Sequence, residues 1–480
     1  MTNDLLATID AVTLTRFVGV DPVPAGEIGI RKALLALPIS ALACCSHGQT
    51  QPTSQMEVEQ VIAAVSPEHL RGTIDRLAAF GTRHTLSDTT SDVRGIGAAR
   101  RWLRDQLQNI ADYSGRDDIT VQLMRHTQPP SRRIPDETEI VNVVMIIPGV
   151  MSEAKDRMYV VLGHYDSRNG NGMDAEGDAP GADDDGSGTA AVLELARVFA
   201  DRPCNATTVF LMTAGEEQGL YGATWFAKTA VDEGWNIQAA LSNDIIGDPS
   251  GPNGREDREH VRVFSQSIPP NADDRTLRRI SMLGAENDSP SRQLARYIHD
   301  IAQRYDTAVK PWLINRTDRF LRGGDHTSFN NAGFAAVRFS EVYETYDRQH
   351  QNIRDVDGQP YGDVPRFVDE DYLADVARLN GAALYSLANA PSTPKNVRLI
   401  TSRLANDTTI RWDSSPEPDV AGYEVMYRDT TSHLWQHVID VGNTNEHTID
   451  LSKDNWFFGV RAYDSDGHRS PVQFAGAGRE

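Results

Sequence analysis

The chain has 480 residues, of which 39% are hydrophobic and 24% are charged, and its formal net charge at pH 7 is −21. A length of this order predicts two or more domains. The negative charge argues against nucleic acid and anionic membrane surfaces as partners, and it also disfavours strongly acidic substrates.

The first 45 residues are interpreted as an N-terminal extension followed by a signal peptide. A basic pair at positions 31 and 32 precedes a short apolar run that ends in small residues before Cys44 and Cys45. This order predicts export, with Cys44 or Cys45 as a candidate lipid anchor, and a buried helix is the alternative. No run of about 20 apolar residues follows, so we expect no transmembrane helix. The chain has no Cys-x-x-Cys pair, which excludes a zinc site built from thiolates.

A polar linker is expected at residues 46–60, and alternating helices and strands follow over residues 61–390. Apolar patterns predict helices at residues 68–80, 95–110, 188–200, 219–231, 291–305 and 371–388, and strands at residues 139–147, 158–163, 208–212, 239–242 and 335–339. This alternation predicts an α/β fold in which helices sandwich a mixed, largely parallel sheet. The polar stretch 251–288 contains one strand-like piece and is interpreted as an insertion near the site.

Acidic residues or a histidine follow the ends of several of these segments. The positions are His164, Asp166, the run Asp183-Asp184-Asp185, the pair Glu216-Glu217, and Asp244. Because the carboxyl ends of parallel strands meet at one edge of a sheet, we expect these side chains to lie close together. Imidazole nitrogens and carboxylate oxygens are ligands that zinc takes. For the acidic run alone, a solvated turn or a calcium loop is the better interpretation, and its combination with His164 and Glu217 favours zinc.

The ordered set resembles the di-zinc exopeptidases, the family of the secreted bacterial aminopeptidases and of glutamate carboxypeptidase. The matching pieces are His-x-Asp, Gly-Ala-Asp-Asp-x-x-Ser-Gly, Glu-Glu-x-Gly, a further Asp and a distal His, across residues 60–390. The resemblance implies two zinc ions and a peptide substrate. The roles that it implies are Asp184 as the bridge, His164 and Asp244 on one ion, Glu217 and His350 on the other, and Glu216 as the general base. With the signal sequence, it implies a protein of the bacterial periplasm or cell envelope, or a secreted one.

Further residues are expected to support this centre. Asp166 is expected to fix the tautomer of His164, because side chains two apart in a strand point the same way, and Asp355 is a candidate for the same role at the distal histidine. The distal histidine has two candidates, of which His350 is preferred. The other is His326, whose Asp325-His326 piece usually lines the site in this family.

The tyrosine that often donates to the oxyanion in relatives is missing, because Gln349 and Leu321 occupy the corresponding places. The candidates for this role are Tyr343, Tyr346, Arg322 and His326. Alternatively, Arg319 or Arg322 would hold a substrate carboxylate, which would favour a carboxypeptidase. For each arginine alone, a surface position is the simpler interpretation.

Residues 391–480 are expected to form a second domain. Two prolines close together, Pro391 and Pro394, mark the boundary. Short alternating strands are then expected at residues 396–400, 408–412, 422–428 and 457–463, which is typical of an all-β sandwich. Trp412 and the strand sequences resemble a fibronectin type III module. Such modules serve as spacers or binding appendages.

The leading interpretation is an exported zinc-dependent aminopeptidase that hydrolyses N-terminal residues of peptides with metal-activated water and a glutamate base. Three alternatives remain open. Two keep the fold and change the chemistry, as a carboxypeptidase or as a glutaminyl cyclase with a single zinc ion. The third is a binding ectodomain without catalysis, which the complete set of ligand candidates disfavours.

Overall fold

The computed structural model describes residues 53–402 and 404–478, and the expected signal peptide and the candidate lipid anchor at Cys44 or Cys45 lie outside them. The helices are α1 (Thr53–Ala64), α2 (Pro67–Ala78), α3 (Gly95–Tyr113), α4 (Gly186–Phe199), α5 (Glu216–Gly219), α6 (Tyr221–Asp232), α7 (Asp274–Leu283), α8 (Pro290–Arg304), α9 (His326–Asn331) and α10 (Glu370–Asn389). Within the described part of the chain, no helix combines the length and the apolarity that crossing a membrane requires.

The strands fall into a long first group and a shorter C-terminal group. The first group is β1 (Thr120–Gln128), β2 (Thr138–Ile147), β3 (Arg157–His164), β4 (Thr207–Thr213), β5 (Asn236–Asn243), β6 (His260–Ser265), β7 (Lys310–Ile314), β8 (Ala336–Ser340), β9 (Arg354–Val356) and β10 (Gln359–Tyr361). The second group is β11 (Lys395–Ile400), β12 (Thr408–Asp413), β13 (Val420–Asp429), β14 (His437–Gly442), β15 (Glu446–Ile449), β16 (Trp456–Asp464), β17 (Gln473–Phe474) and β18 (Gly476–Gly478).

Strands β1 to β8 form one sheet in the order β1-β2-β4-β3-β5-β8-β6-β7. Parallel pairing joins β4 to β3, β3 to β5, β5 to β8 and β6 to β7. The pairs β1–β2, β2–β4 and β6–β8 are antiparallel. Every residue of β4 is buried, as expected for a strand that helices cover on both faces. The sheet confirms the mixed, largely parallel α/β fold that the sequence predicts.

Side chains of the central strands alternate between two cores, one on each face of the sheet. Val161 and Phe210 belong to the larger core, which helices α1 to α4, α8 and α10 cover. Val160 and Val209 belong to the smaller core, together with Phe226 of α6 and residues of α9. The sheet is therefore the middle of three layers. The ends of its strands lie at the edges of those layers.

The structure corrects three details of the sequence prediction. Residues 53–60 of the expected linker belong to α1, because Val58 and Val61 lie three positions apart and pack into the larger core. The strand-like piece within the expected insertion is β6, which is an integral strand between β8 and β7. The helix expected at residues 219–231 is α6, which begins at Tyr221 because Leu220 has a positive φ of 60°, and the short helix α5 precedes it.

The C-terminal strands form two four-stranded sheets, β15-β12-β11-β18 and β14-β13-β16-β17, around their own core. This β-sandwich packs closely on the first part of the chain. Asp288, just before α8, accepts hydrogen bonds from Arg296 at 2.8 Å and from Arg428 of β13 at 2.7 Å, and all three side chains are buried. The two parts are thus joined by buried charges, and the likeness to a fibronectin type III module stays a prediction.

Candidate active site

The predicted site residues lie at the carboxyl ends of neighbouring parallel strands. His164 is the last residue of β3, and Asp244 directly follows β5. Glu216 and Glu217 begin α5, which two residues separate from β4, and His350 lies in the loop after β8. Because β4, β3, β5 and β8 are adjacent and parallel, these ends meet at one edge of the sheet.

Two groups of three side chains have ligand atoms within 4.8 Å of one another. The His164 triad is His164, Glu216 and Asp244, and the His350 triad is Asp184, Glu217 and His350. Asp184 lies between them, because its Oδ1 is 3.3 Å from His164 Nε2 and its Oδ2 is 2.8 Å from His350 Nε2. The structure therefore brings all five predicted ligands and the predicted base together, with Asp184 in the position expected of a bridge.

The donor set fits a pair of zinc-type ions. His164 Nε2 is buried and has no hydrogen-bond partner among the described residues, although Glu216 Oε2 and Asp244 Oδ1 lie 3.9 and 4.0 Å away. His350 Nε2 lies 2.9 Å from Glu217 Oε1. Imidazole nitrogens surrounded by carboxylate oxygens are the ligand type that zinc selects.

The same proximity shifts the proton affinities of these groups. Burial alone would lower the pKa of His350, but the carboxylates of Glu217 and Asp184 outweigh it and raise the pKa to about 10. Burial opposes ionisation of Asp184, yet the two histidines hold the pKa of this carboxyl well below its usual range. Burial raises the pKa of Glu216 well above its usual range. The histidines and the carboxylates of the two triads thus lie close enough to shift one another's pKa.

Asp166 supports the site differently from the sequence prediction. Its carboxylate was expected to accept from the second ring nitrogen of His164, but Oδ1 lies 3.6 Å from that Nδ1, and the Asp166 backbone carbonyl is closer, at 3.2 Å. The carboxylate instead accepts from the Thr85 hydroxyl at 2.8 Å and from the backbone amides of Glu216 and Glu217 at 3.3 and 3.2 Å. Asp166 therefore fixes the start of α5, where the glutamate pair lies.

The acidic run is held by a residue that the sequence did not reveal. Asp363 is buried, and its carboxylate accepts from the backbone amides of Asp183 and Asp184 at 2.9 and 2.8 Å. Burial raises the pKa of Asp363 to about 6. Asp185 accepts from the Gly188 amide as the N-cap of α4, and the peptide bond between Asp184 and Asp185 is cis. Asp363 comes long after the run in the sequence and carries no spacing signal.

The structure places His350 at the centre, as preferred, and His326 away from it. His326 was expected to line the site, but its side chain is fully buried and its Nε2 donates to the Thr317 carbonyl at 2.7 Å. Asp325 is also buried, and it accepts from the Thr213 hydroxyl at the end of β4. The Asp325-His326 piece therefore packs behind the site, because it forms the start of the short helix α9.

Arg168, which the sequence analysis did not single out, contacts two of the three residues of the His350 triad. Its Nε donates to Glu217 Oε2 at 2.9 Å, and its second amino nitrogen donates to His350 Nδ1 at 2.6 Å.

Asp355, which was a candidate for orienting the distal histidine, lies in the exposed strand β9. Its carboxylate accepts a hydrogen bond from the Gly358 amide. On the other side, the fully buried Arg338 lies 2.8 Å from Asp244 Oδ1.

A cavity of about 310 Å³ opens over the two triads. Four arginines line it, and they are Arg133, Arg168, Arg319 and Arg322. Tyr346, a candidate oxyanion donor, is 62% exposed and lies outside the residues that line this cavity. Of the other expected donors, Arg322 reaches the cavity, whereas His326 does not.

Comparison with known proteins agrees with this geometry. The model of peptidase family M28 matches residues 142–367. A probable zinc metalloprotease of Leptosphaeria maculans is 43% identical over 428 residues, which cover 89% of this chain and 98% of that protein. A probable zinc metalloprotease of Pyricularia oryzae is 42% identical over 460 residues, covering 92% of this chain and 91% of that protein.

Among solved structures, LapA of Legionella pneumophila superposes with a TM-score of 0.50 at 19% identity. This likeness covers 70% of the present chain and 76% of that chain, and it shows the fold alone. The two relatives, at 43% and 42% identity, and the family model all match the part of the chain that carries the two triads. The chain therefore belongs to peptidase family M28.

Proposed function

We propose that this protein is an exported aminopeptidase that uses two zinc ions to remove N-terminal residues from peptides. The observation that carries the proposal is the position of Asp184, with one carboxylate oxygen facing each triad. His164 and Asp244 would hold one ion, and Glu217 and His350 would hold the other. A single ion would leave one complete set of ligands without a role.

When bound, the zinc ions supply Lewis-acid polarisation of the scissile carbonyl and acidification of water. Glu216 is the residue placed for proton transfer, because it borders the cavity and its side chain is 13% exposed. It takes a proton from the attacking water and returns it to the leaving amine as the peptide C–N bond breaks. Asp166 keeps Glu216 in place by accepting from its backbone amide.

The test combines metal analysis with a substrate panel. Active protein is expected to contain two zinc ions per chain, and a chelator is expected to abolish hydrolysis. Amino-acid 4-nitroanilides should be cleaved, while their N-acetylated counterparts should not. Cleavage of N-acetylated peptides from the C-terminus would indicate a carboxypeptidase, and cyclisation of N-terminal glutamine with one bound zinc would indicate a glutaminyl cyclase.

Export through the N-terminal signal sequence, with or without a lipid anchor at Cys44 or Cys45, is part of the proposal. The relatives described above come from fungi, so they give no support to a bacterial envelope location. Export is tested by sequencing the mature N-terminus of protein recovered from the culture medium.

We also propose that residues 391–480 form a fibronectin type III-like module. The two four-stranded sheets around Trp412 support this proposal.

A further inference from the structure

With two divalent cations bound, the lining of the catalytic cavity would carry a charge opposite to that of the whole chain. The carboxylates that line the cavity are Asp184, Glu216, Glu217 and Asp244, and each belongs to one of the two triads. Two divalent cations would balance these four negative charges. The four arginines of the lining would then remain, in a protein whose formal net charge is −21.

Two of the arginines are already engaged by protein acceptors. Arg319 donates to Asp318 at 3.0 Å, to Glu344 at 2.9 Å and to the Gly323 carbonyl at 3.3 Å. Arg168 donates to Glu217 and to His350, as described above. A guanidinium has five N–H donors in a planar fork, and these two residues direct theirs mainly at the protein.

The other two arginines have donors to spare. Arg322 is bonded through one terminal nitrogen only, to Glu344 at 3.2 Å, and 35% of its side chain is exposed. Arg133 is exposed and is likewise bonded through one terminal nitrogen, to the Glu217 carbonyl at 2.8 Å. Within residues 53–402 and 404–478, the remaining guanidinium nitrogens of both residues have no hydrogen-bond acceptor. A planar carboxylate is the group that such a fork binds best.

We propose that Arg133 and Arg322 make the cavity selective for substrates with a carboxylate next to the scissile bond. The inference rests on the proposed peptidase function and adds the substrate class. An acidic side chain and the C-terminal carboxylate of a short peptide share this chemistry. A basic substrate side chain finds no free carboxylate among the described residues of the lining, because the triads use all four. The local charge thus reverses the preference that the net charge of the chain suggests.

The experiment compares two pairs of substrates that differ only in one carboxylate. Glutamate 4-nitroanilide is paired with glutamine 4-nitroanilide, and the dipeptide Ala-Ala is paired with its C-terminal amide. The zinc-loaded full chain is expected to favour the acidic member of at least one pair by roughly 10- to 100-fold in kcat/KM, the range of a charge-assisted hydrogen bond. The pair that shows the preference identifies the source of the carboxylate.

Variants connect the preference to the two arginines. Arg322→Gln and Arg133→Gln should each reduce the acid-to-neutral ratio toward one. The control is Arg316→Gln, because Arg316 is exposed on the same loop as Arg322, packs over Phe320 and does not line the cavity. This control should keep the full ratio. Ratios near one for both pairs in the unaltered chain, or a ratio that survives both variants, would overturn the inference.

A binding measurement can test this inference even if the proposed peptidase function is wrong. If none of the four substrates is hydrolysed, the proposed peptidase function fails, while calorimetry on the zinc-loaded Glu216→Gln chain still reports recognition. Tighter binding of the acidic member of a pair, weakened by Arg322→Gln, supports the inference. Equal binding of both members in both pairs rejects it.

Discussion

The adjacent residues Glu216 and Glu217 face different partners. Glu216 Oε2 lies 3.9 Å from His164 Nε2, whereas Glu217 Oε1 lies 2.9 Å from His350 Nε2. We expect Glu216→Gln to keep both metals and to lower kcat by roughly 10²–10⁴-fold, the usual contribution of a general base. The matched variant Glu217→Gln should lose one metal. Elemental analysis and steady-state kinetics check both, and near-normal kcat in Glu216→Gln would contradict the assigned role.

The two histidines that compete for the metal role can be separated by the same measurements. His350→Ala should lose the metal of its triad and nearly all activity, because zinc relies on few protein ligands. His326→Ala should keep both metals and lower the free energy of unfolding by about 1–3 kcal/mol, because a fully buried side chain and its hydrogen bond to the half-buried Thr317 carbonyl are lost. Metal loss in His326→Ala alone would reverse the assignment.

The sequence predicted the ligands better than their supporting residues. His164 and Asp244 could be found because one ends an apolar strand and the other directly follows one, and that pattern is local. Arg168 carries no such pattern, since its partners Glu217 and His350 are 49 and 182 positions away. A single arginine in a polar loop usually lies on a surface. Only the folded sheet, which brings distant strand ends together, reveals that Arg168 contacts two ligands.

Asp363, in the segment after β10, secures the loop that carries the bridging carboxylate. We expect Asp363→Ala to weaken metal binding by roughly 10- to 100-fold, as is usual when a group that orients a ligand is removed. The reason is that the amides of Asp183 and Asp184 lose their common acceptor. Asp347→Ala, at an exposed aspartate in the same region, is the control. Titration of the metal-free chain with zinc measures both, and equal affinities would refute this role.

Strand order was less predictable than strand existence. The sequence located β6 as a strand-like piece but not as a member of the main sheet, because the flanking residues are polar. It missed the edge strand β1, whose side chains are half-buried or exposed along its whole length. Apolar periodicity shows which face of a strand is buried. It does not show which other strand pairs with it, because the pairing partner can lie far away in the sequence.

Across the whole molecule, Asp288 joins the peptidase part to the β-sandwich through Arg296 and Arg428. Asp288→Ala would leave two buried guanidinium groups without their carboxylate, and we expect it to lower the free energy of unfolding by about 3–5 kcal/mol. The control is Glu446→Ala, which breaks the exposed pair between Glu446 and Arg411 and should cost less than about 1 kcal/mol.

Chemical denaturation measures both variants. If Asp288→Ala loses no more free energy of unfolding than the control, the interface contributes little to stability.

All the predicted site residues precede Pro394, so a chain that ends there and still folds should hydrolyse small substrates. We expect that chain to be less stable than the full protein, because it lacks Arg428.

The junction at Asp288 also determines when the protein can finish folding. Ribosomes make chains from the N-terminus, and Arg428 follows Asp288 by 140 residues. At typical synthesis rates this interval lasts on the order of ten seconds, during which Asp288 has Arg296 but not its second partner. The nascent peptidase sheet therefore emerges with an incomplete surface around Asp288, which gains its second arginine only after β13 has been synthesised. A chain stopped early within the sandwich would keep that surface open and would be a target for chaperones and quality-control proteases.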